Sequence, residues 1–210
     1  MTEITINSQP FTPIQGIEYK HDYLALSKMP ERKELWPDLF PDVKDLTKSS
    51  VEKQILRHLV LNDLWFIVYF ILGIPTANHP FVVNFAKKIE EGPDTKTLDI
   101  VARGHFKSSI ITKAETIQYH LKYPERCTAI FSYKKPLGEK FLASIKQAYE
   151  SDFLKNLFPE ILYNNPEHDS PSWSLQNGIT INRKGKTRTE ATVFASGLSE
   201  GMATGMHVER

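Results

Sequence analysis

The hydrophobic and polar positions of this chain divide it into an irregular beginning and a longer region of helices and strands. Residues 1–48 combine prolines and turn formers with short apolar patches, which predicts an irregular arm. A Ser-Ser pair at Ser49 precedes "VEKQILRHLV" and predicts a helix start. A second helix is expected over residues 62–72, because its apolar run ends at Gly73. The lead-in to the main fold is therefore expected to be helical.

The next segments alternate between helical and strand patterns. "NHPFVVNFAKKIEEG" has apolar residues at helical spacing, and "TLDIV" predicts a strand that enters a turn. "SSIITKAETIQYHLKYP" again has helical spacing. "CTAIFSY" and then "PLGEKFLASIKQAYES" predict a second strand and helix. This order predicts an α/β fold with a mostly parallel sheet flanked by helices.

The last third of the chain has the pattern of a β-hairpin. "WSLQ" and "ITINR" flank Asn177-Gly178, and the basic turn Lys184-Gly185-Lys186 leads into "TEATVFAS". A β-hairpin insertion is therefore expected. The Gly-rich run of residues 196–205 is equally compatible with a mobile loop near a ligand and with a plain connection.

Composition bounds the possible functions only loosely. The chain has 210 residues, a net charge of +1 and 40% hydrophobic residues, enough for one sizeable core. Contact with nucleic acid would therefore need a local basic patch. Cys127 is the single cysteine and lies in an apolar run, so a buried thiol is expected. No secretory signal pattern opens the chain, and the apolar run of residues 64–74 is too short to cross a bilayer, so an intracellular protein with no membrane contact is expected.

The stretch "LDIVARGHFKSSIITKA", Leu98 to Ala114, carries the clearest chemistry. A phosphate-binding loop has the pattern Gly, four residues, Gly-Lys-Ser/Thr between a strand and a helix. Lys107-Ser108 supplies the last pair, but Val101 and Phe106 stand where the glycines belong. Gly104 remains to give the backbone its freedom.

In such a loop each residue type has a role. Lys107 would contact the β and γ phosphates, Ser108 would join the Mg²⁺ ligands, and Arg103 would stabilise charge on the transferred phosphoryl group. A surface turn with two basic residues explains the local pattern equally well. The loop taken alone leaves both interpretations open.

The neighbouring segments extend the match. "DIVARGHFKSSIIT" resembles the deviant phosphate loop of bacteriophage terminase large subunits, in which an arginine stands four residues before the lysine. "DLWFIVYFILGI", "HPFVVNFAKKIE", "FLKNLFPEIL" and "ATVFASGLSEGMATGMH" are similar in order and spacing to the ATPase core of that family. The resemblance spans roughly Asp63 to His207.

The resemblance implies a P-loop NTPase core over residues 49–210 and a function in viral DNA packaging. It implies ATP and Mg²⁺ as cofactors, catalytic roles for Arg103 and Lys107, and Ser108 as metal ligand. The implied nucleotide-binding residues are Ala102, Arg103, Gly104, His105, Phe106, Lys107, Ser108 and Ser109. In that family, hydrolysis of ATP drives double-stranded DNA into the procapsid.

The resemblance also implies what lies beyond this sequence. The Walker B strand, the catalytic carboxylate and a nuclease domain come later in the chains of that family, so this chain is expected to bind nucleotide without efficient hydrolysis. The implied partners are double-stranded DNA, the small terminase subunit, the portal protein and further copies in a ring. The implied location is the cytoplasm of the infected host cell.

Other residues have two interpretations each. The basic cluster of the hairpin, which consists of Arg183, Lys184, Lys186 and Arg188, is either a candidate DNA contact or a tip that is basic only for solubility. Lys134 and Lys135 come after the second strand, where a solvated pair is the commoner explanation. His79 is either a helix cap or a neighbour of the nucleotide, and His105 is expected at the loop surface. Trp65 and Trp173 are expected in the core.

Two alternative functions remain open. A different P-loop DNA motor, such as a helicase-like ATPase, would share the loop. A docking module for the small terminase subunit or portal would need no nucleotide.

Overall fold

The computed structural model describes residues 50–92, 98–185 and 188–198, with the backbone of residues 5–6 and 9–10. Two compact units divide the chain, residues 1–111 and residues 112–210. The predicted arm of residues 1–48 lies outside the described residues, apart from one short antiparallel pair. That pair consists of β1 (Thr5–Ile6) and β2 (Gln9–Pro10).

The first unit contains the predicted helices in their predicted order. They are α1 (Ser50–Asn62), α2 (Leu64–Phe66), a π-helical segment (Ile67–Ile71), a 3₁₀ turn (Pro75–Ala77) and α3 (Pro80–Glu90). The boundary between the two predicted helices lies at Asp63, and the second helix continues from α2 into the π-helical segment as far as Ile71. Asp63 separates α1 from α2, and its carboxylate accepts a hydrogen bond from Phe66 N–H at 3.1 Å. The helix ends as expected, with Gly73 in the left-handed region at φ +63°.

The core of the first unit forms around α2 and α3. Leu64 and Trp65 are almost fully buried, and Trp65 Nε1 donates to the Ala77 carbonyl at 3.0 Å. Leu64 N–H donates to the Glu90 carboxylate at 2.8 Å, which joins the start of α2 to the end of α3. The prediction that Trp65 belongs to the core is confirmed. Within the described ranges, no helix has the length and apolar character needed to span a membrane.

The second unit is an α/β arrangement around a four-stranded sheet. Its helices are α4 (Glu115–Lys122), α5 (Lys135–Glu150), α6 (Asp152–Leu157) and α7 (Pro166–Asp169). Its strands are β3 (Thr128–Ser132), β4 (Trp173–Ser174), β5 (Gly178–Ile179) and β6 (Val193–Gly197). The strand order is β3-β6-β5-β4.

The prediction of a mostly parallel sheet is corrected by the strand pairing. Only β3 and β6 are parallel in the described part of the chain, while β4–β5 and β5–β6 are antiparallel. The physical reason is the predicted hairpin itself: a tight turn returns β5 antiparallel to β4, and the longer connection over residues 180–192 brings β6 antiparallel to β5. The sheet is therefore mixed, with the hairpin at the edge opposite β3.

Helix α5 packs closely on the parallel pair because Gly138 has no side chain. A β-carbon at Gly138 would lie 3.1 Å from the Ala195 Cβ and 3.2 Å from the Ile130 carbonyl oxygen. Leu142 and Ile145 are fully buried on the same helix. Cys127 is a buried thiol directly before β3, as its apolar surroundings predict.

Candidate phosphate-binding loop

The backbone of the loop carries two closely spaced departures from ordinary geometry. Gly104 has φ +85°, and Phe106 has φ +59°, the left-handed region that side chains disfavour. Phe106 is the only non-glycine residue with positive φ in the described part of the chain. A left-handed conformation costs a residue with a β-carbon about 1–2 kcal/mol. The phenylalanine therefore adopts a conformation that favours glycine, and the missing glycine does not prevent a glycine-like turn.

The Lys107 side chain folds back over the loop that precedes it. Its Nζ donates a hydrogen bond to the Val101 carbonyl oxygen at 3.1 Å, and the side chain is exposed. An ammonium group has three donors, so donation to Val101 leaves two for other acceptors. The loop thus presents a cation at a fixed place beside its own backbone.

A helix begins directly at this lysine. Ile110 N–H donates to the Phe106 carbonyl at 2.9 Å, and the helix continues as a π-helical segment (Ser108–Ala114) into α4. The N–H groups that precede the first helical bond have no intrahelical acceptor. The predicted turn and helix are confirmed. Backbone donors and the positive end of the helix dipole therefore lie at the residue that carries the ammonium.

His105 fixes the tip of the loop against α3. Its Nδ1 lies 3.1 Å from the Arg103 carbonyl oxygen, and because a carbonyl only accepts, Nδ1 carries the proton. The His105 ring meets the Phe81 ring edge-on, with centroids 5.4 Å apart. His79, predicted as a helix cap, accepts from Phe81 N–H through Nδ1 at 3.1 Å. The amino end of α3 thus supports the loop, and Arg103 and His105 are exposed on it.

Helical spacing places Phe81 on the apolar face of α3, but the structure exposes it. Its side chain is 42% exposed, and its ring supports His105. An apolar residue that faces the core and one that packs against the loop can occupy the same helical spacing. The sequence therefore contains no signal that distinguishes these two roles for Phe81.

The predicted strand before the loop does not form in the described structure. Residues 98–101 belong to no strand, and no strand among the described residues pairs with them. Leu98 and Ile100 are 85% and 88% exposed. An apolar alternating tetrapeptide becomes a strand only when a neighbour supplies hydrogen bonds, and this one has no such neighbour in the described ranges.

The described members of the basic cluster lie on the connection between β5 and β6, not on the β4–β5 hairpin as predicted; some of them contact the interior and one faces solvent. Arg183 donates from Nε and Nη2 to the Thr192 hydroxyl, at 3.1 and 2.7 Å. Arg188 Nη1 lies 3.5 Å from the Cys127 sulfur. Lys184 is exposed, and Lys186 lies outside the described residues. The guanidinium of Arg183 is therefore engaged within its own unit, whereas Lys184 faces solvent.

A carboxylate that the sequence did not single out holds this basic turn. Glu125 accepts from Lys184 N–H at 2.7 Å and from Gly185 N–H at 3.3 Å. The contact joins residues about sixty positions apart, and local sequence patterns contain no signal for it.

Trp173 is half-buried. The prediction that it belongs to the core is wrong. Its indole Nε1 donates to the Glu150 carboxylate at 2.7 Å, and Lys146 lies 3.0 Å from the same oxygen. The indole N–H needs an acceptor, so the ring stays near the surface where Glu150 can reach it. The contact ties β4 to the end of α5.

Lys134 and Lys135 stand at the start of α5. Lys134 is the exposed residue before the helix, while Lys135 Nζ donates to the Gln176 carbonyl at 3.1 Å and lies 4.0 Å from Glu139.

Of the Gly-rich run of residues 196–205, Ser196 and Gly197 belong to β6 and residues 199–205 lie outside the described residues.

Comparison with models of known families, with curated proteins and with solved structures finds no match. In the described ranges, no group of three or more His, Cys, Asp or Glu side chains is arranged to hold a metal ion.

Proposed function

We propose that this chain is the ATP-binding part of a P-loop motor of the terminase large subunit type. The observation that carries the proposal is the loop from Val101 to Lys107, in which Lys107 folds onto the Val101 carbonyl and Phe106 adopts the conformation of a glycine. This geometry supports a phosphate-binding loop despite the divergent sequence.

The loop offers three kinds of contact to a triphosphate. Lys107 supplies a positive charge with two remaining donors, and the first turn of the helix supplies backbone N–H groups. Arg103 is exposed on the same loop, and its guanidinium suits bidentate contact with phosphate oxygens. Ala102, Gly104, His105 and Ser109 provide the remaining backbone of the site.

Magnesium fits this donor set through Ser108. Mg²⁺ in nucleotide sites takes few protein ligands and several phosphate and water oxygens, so one hydroxyl next to the lysine is a suitable contribution. When bound, Mg²⁺ would neutralise charge on the phosphates. Ser108 would hold the ion, and Lys107 would hold the phosphate oxygens.

Titration with Mg-ATP tests the proposal directly. Lys107→Ala removes one charge-assisted contact and is expected to weaken ATP binding by about 10-fold to 100-fold. Lys113→Ala changes the same charge on the same helical segment and is expected to leave affinity unchanged. Equal affinities for all three proteins, or no ATP binding by the unaltered chain, would overturn the proposal in favour of a docking module.

In the complete motor, hydrolysis would drive double-stranded DNA into the procapsid, with the small terminase subunit and portal as partners in the host cytoplasm. That part of the proposal rests on the family resemblance. ATP turnover by an assembled packaging motor that contains this chain, measured with and without DNA, is the experiment that tests it.

A further inference from the structure

The carboxyl end of the parallel pair β3–β6 presents two large side chains to solvent. The register pairs Ser132 with Gly197, so Tyr133 and Leu198 leave the sheet at adjacent positions. Tyr133 is 72% exposed and Leu198 is 56% exposed. Ligands of α/β sheets commonly bind at the carboxyl ends of the strands.

The chain around Tyr133 is held in place by Ser132. Its hydroxyl donates to the Lys134 carbonyl at 2.6 Å and accepts from Gly138 N–H at 3.0 Å. These two bonds fix the connection between β3 and α5. One turn further on, Leu137 is 50% exposed. The ring of Tyr133 therefore projects from an ordered support.

The chain segment that carries this ring has a positive net charge. Between Phe131 and Phe141 the chain carries three lysines and one carboxylate, Glu139, which lies 4.0 Å from Lys135. Lys134 is exposed. This combination of cations and an apolar ring complements a polyanion that has flat apolar groups.

We propose that Tyr133, Leu137 and Lys134 form a contact surface for single-stranded nucleic acid. The Tyr133 ring stacks on a base, Leu137 extends the apolar contact, and Lys134 neutralises a phosphate. Stacking is tolerant of sequence because every base has a π-face. A protein partner fits less well, because lysine is depleted from the cores of protein interfaces and here adjoins the exposed ring. The inference does not depend on nucleotide binding at Lys107.

Fluorescence anisotropy with a labelled oligothymidine of about 16 nucleotides tests the surface. Tyr133→Ala is expected to weaken binding by about 5-fold to 100-fold, the range that alanine substitution of one stacking residue gives. Tyr133→Phe keeps the ring and is expected to retain binding. Lys134→Ala is expected to reduce the slope of log affinity against log salt by about 0.7.

The matched control is Tyr123→Ala. Tyr123 is 53% exposed and ends α4, before β3 begins. The proposal is overturned if Tyr133→Ala and Tyr123→Ala bind alike, if the unaltered chain binds no oligothymidine at low salt, or if Tyr133→Phe loses binding as alanine does. Binding to duplex and single strand with equal affinity and no dependence on Tyr133 would also overturn it, since contact would then be through phosphates alone.

Discussion

The Lys107 Nζ donates a hydrogen bond to the Val101 carbonyl oxygen, six residues earlier, across a distance of 3.1 Å. Between the two residues lie both left-handed positions of the loop, Gly104 and Phe106. The reversal of the chain that these positions allow brings the lysine back to the carbonyl. Loop conformation and lysine placement are therefore expected to change together.

Substitutions of Phe106 test that coupling. Phe106→Val places a β-branched side chain in the left-handed region, where branching adds strain of about 1 kcal/mol to that already present for phenylalanine, and is expected to lower both stability and ATP affinity. Phe106→Gly is expected to retain ATP binding, because glycine adopts this φ freely. Urea unfolding and ATP titration of both variants give the comparison. Equal behaviour of the valine and glycine variants would contradict a left-handed Phe106.

The close approach of α5 to the sheet makes Gly138→Ala destabilising. Alanine is the better helix former by about 1 kcal/mol, but its β-carbon would press on Ala195 and the Ile130 carbonyl. Overpacking of this kind costs about 1–3 kcal/mol, so a net loss of stability is expected in urea unfolding. Gln147→Ala, at an exposed position of the same helix, is the control and is expected to be neutral or slightly stabilising. A Gly138→Ala protein as stable as its control would refute the close packing.

Acid is expected to weaken the contact between Glu150 and Trp173. Burial raises the pKa of Glu150, but the Trp173 hydrogen bond and Lys146 together outweigh it and hold the pKa below its ordinary value of 4.5. The unfolded chain therefore binds this proton more readily. The stabilisation is fully present above pH 4.5 and is lost as pH falls through the folded pKa.

Glu150→Gln removes this titration and retains a carbonyl oxygen as acceptor. Urea unfolding between about pH 3 and pH 7 is expected to show a shallower acid loss for the variant, with a difference at neutral pH of about 1 kcal/mol or less, since the ion pair is partly exposed. Glu139→Gln alters a carboxylate that pairs with Lys135 at the same spacing on the same helix and serves as control. Parallel pH profiles for Glu150→Gln and the unaltered chain would rule out this contribution.

His58 acts in a higher pH range, in the first unit. Partial burial lowers the pKa of His58 below its ordinary value of 6.5, so the unfolded chain is protonated first as pH falls. The neutral imidazole contributes stability above pH 6.5, and this contribution is lost as pH falls through the folded pKa. His58→Gln is expected to flatten the change in urea midpoint just below pH 6.5. A slope unaltered by the substitution would contradict the assignment.

Periodicity predicted much of the fold because it reports which residues face a core. Leu59, Val60, Ile117 and Leu121 are buried as their helical spacing requires. Gly73 ends its helix in the conformation for which glycine is suited. The apolar pattern at residues 98–101 predicted a strand that the structure does not show. Strand formation depends on a neighbouring strand, and the local pattern carries no information about that neighbour.

The candidate site was predictable in its residues but not in its geometry. The spacing of Lys107 and Ser108 located the loop, yet the left-handed φ of Phe106 opposes the preference of that residue type and had no local signal. Contacts such as Glu125 with Lys184 and Trp173 with Glu150 join distant parts of the sequence. They result from tertiary packing, which a single sequence does not encode in any short pattern.

The π-helical segment Ser108–Ala114 also sets the rotational phase of the helical turns around it. Each π turn accommodates about one more residue than an α turn, so side chains after Ala114 point in directions that an uninterrupted α-helix would give to earlier positions. Deleting a single residue within this segment would restore α-helical winding and change the directions in which Lys107 and Ser108 point at its amino end. The loop is thus sensitive to the length of the helix behind it as well as to its own sequence.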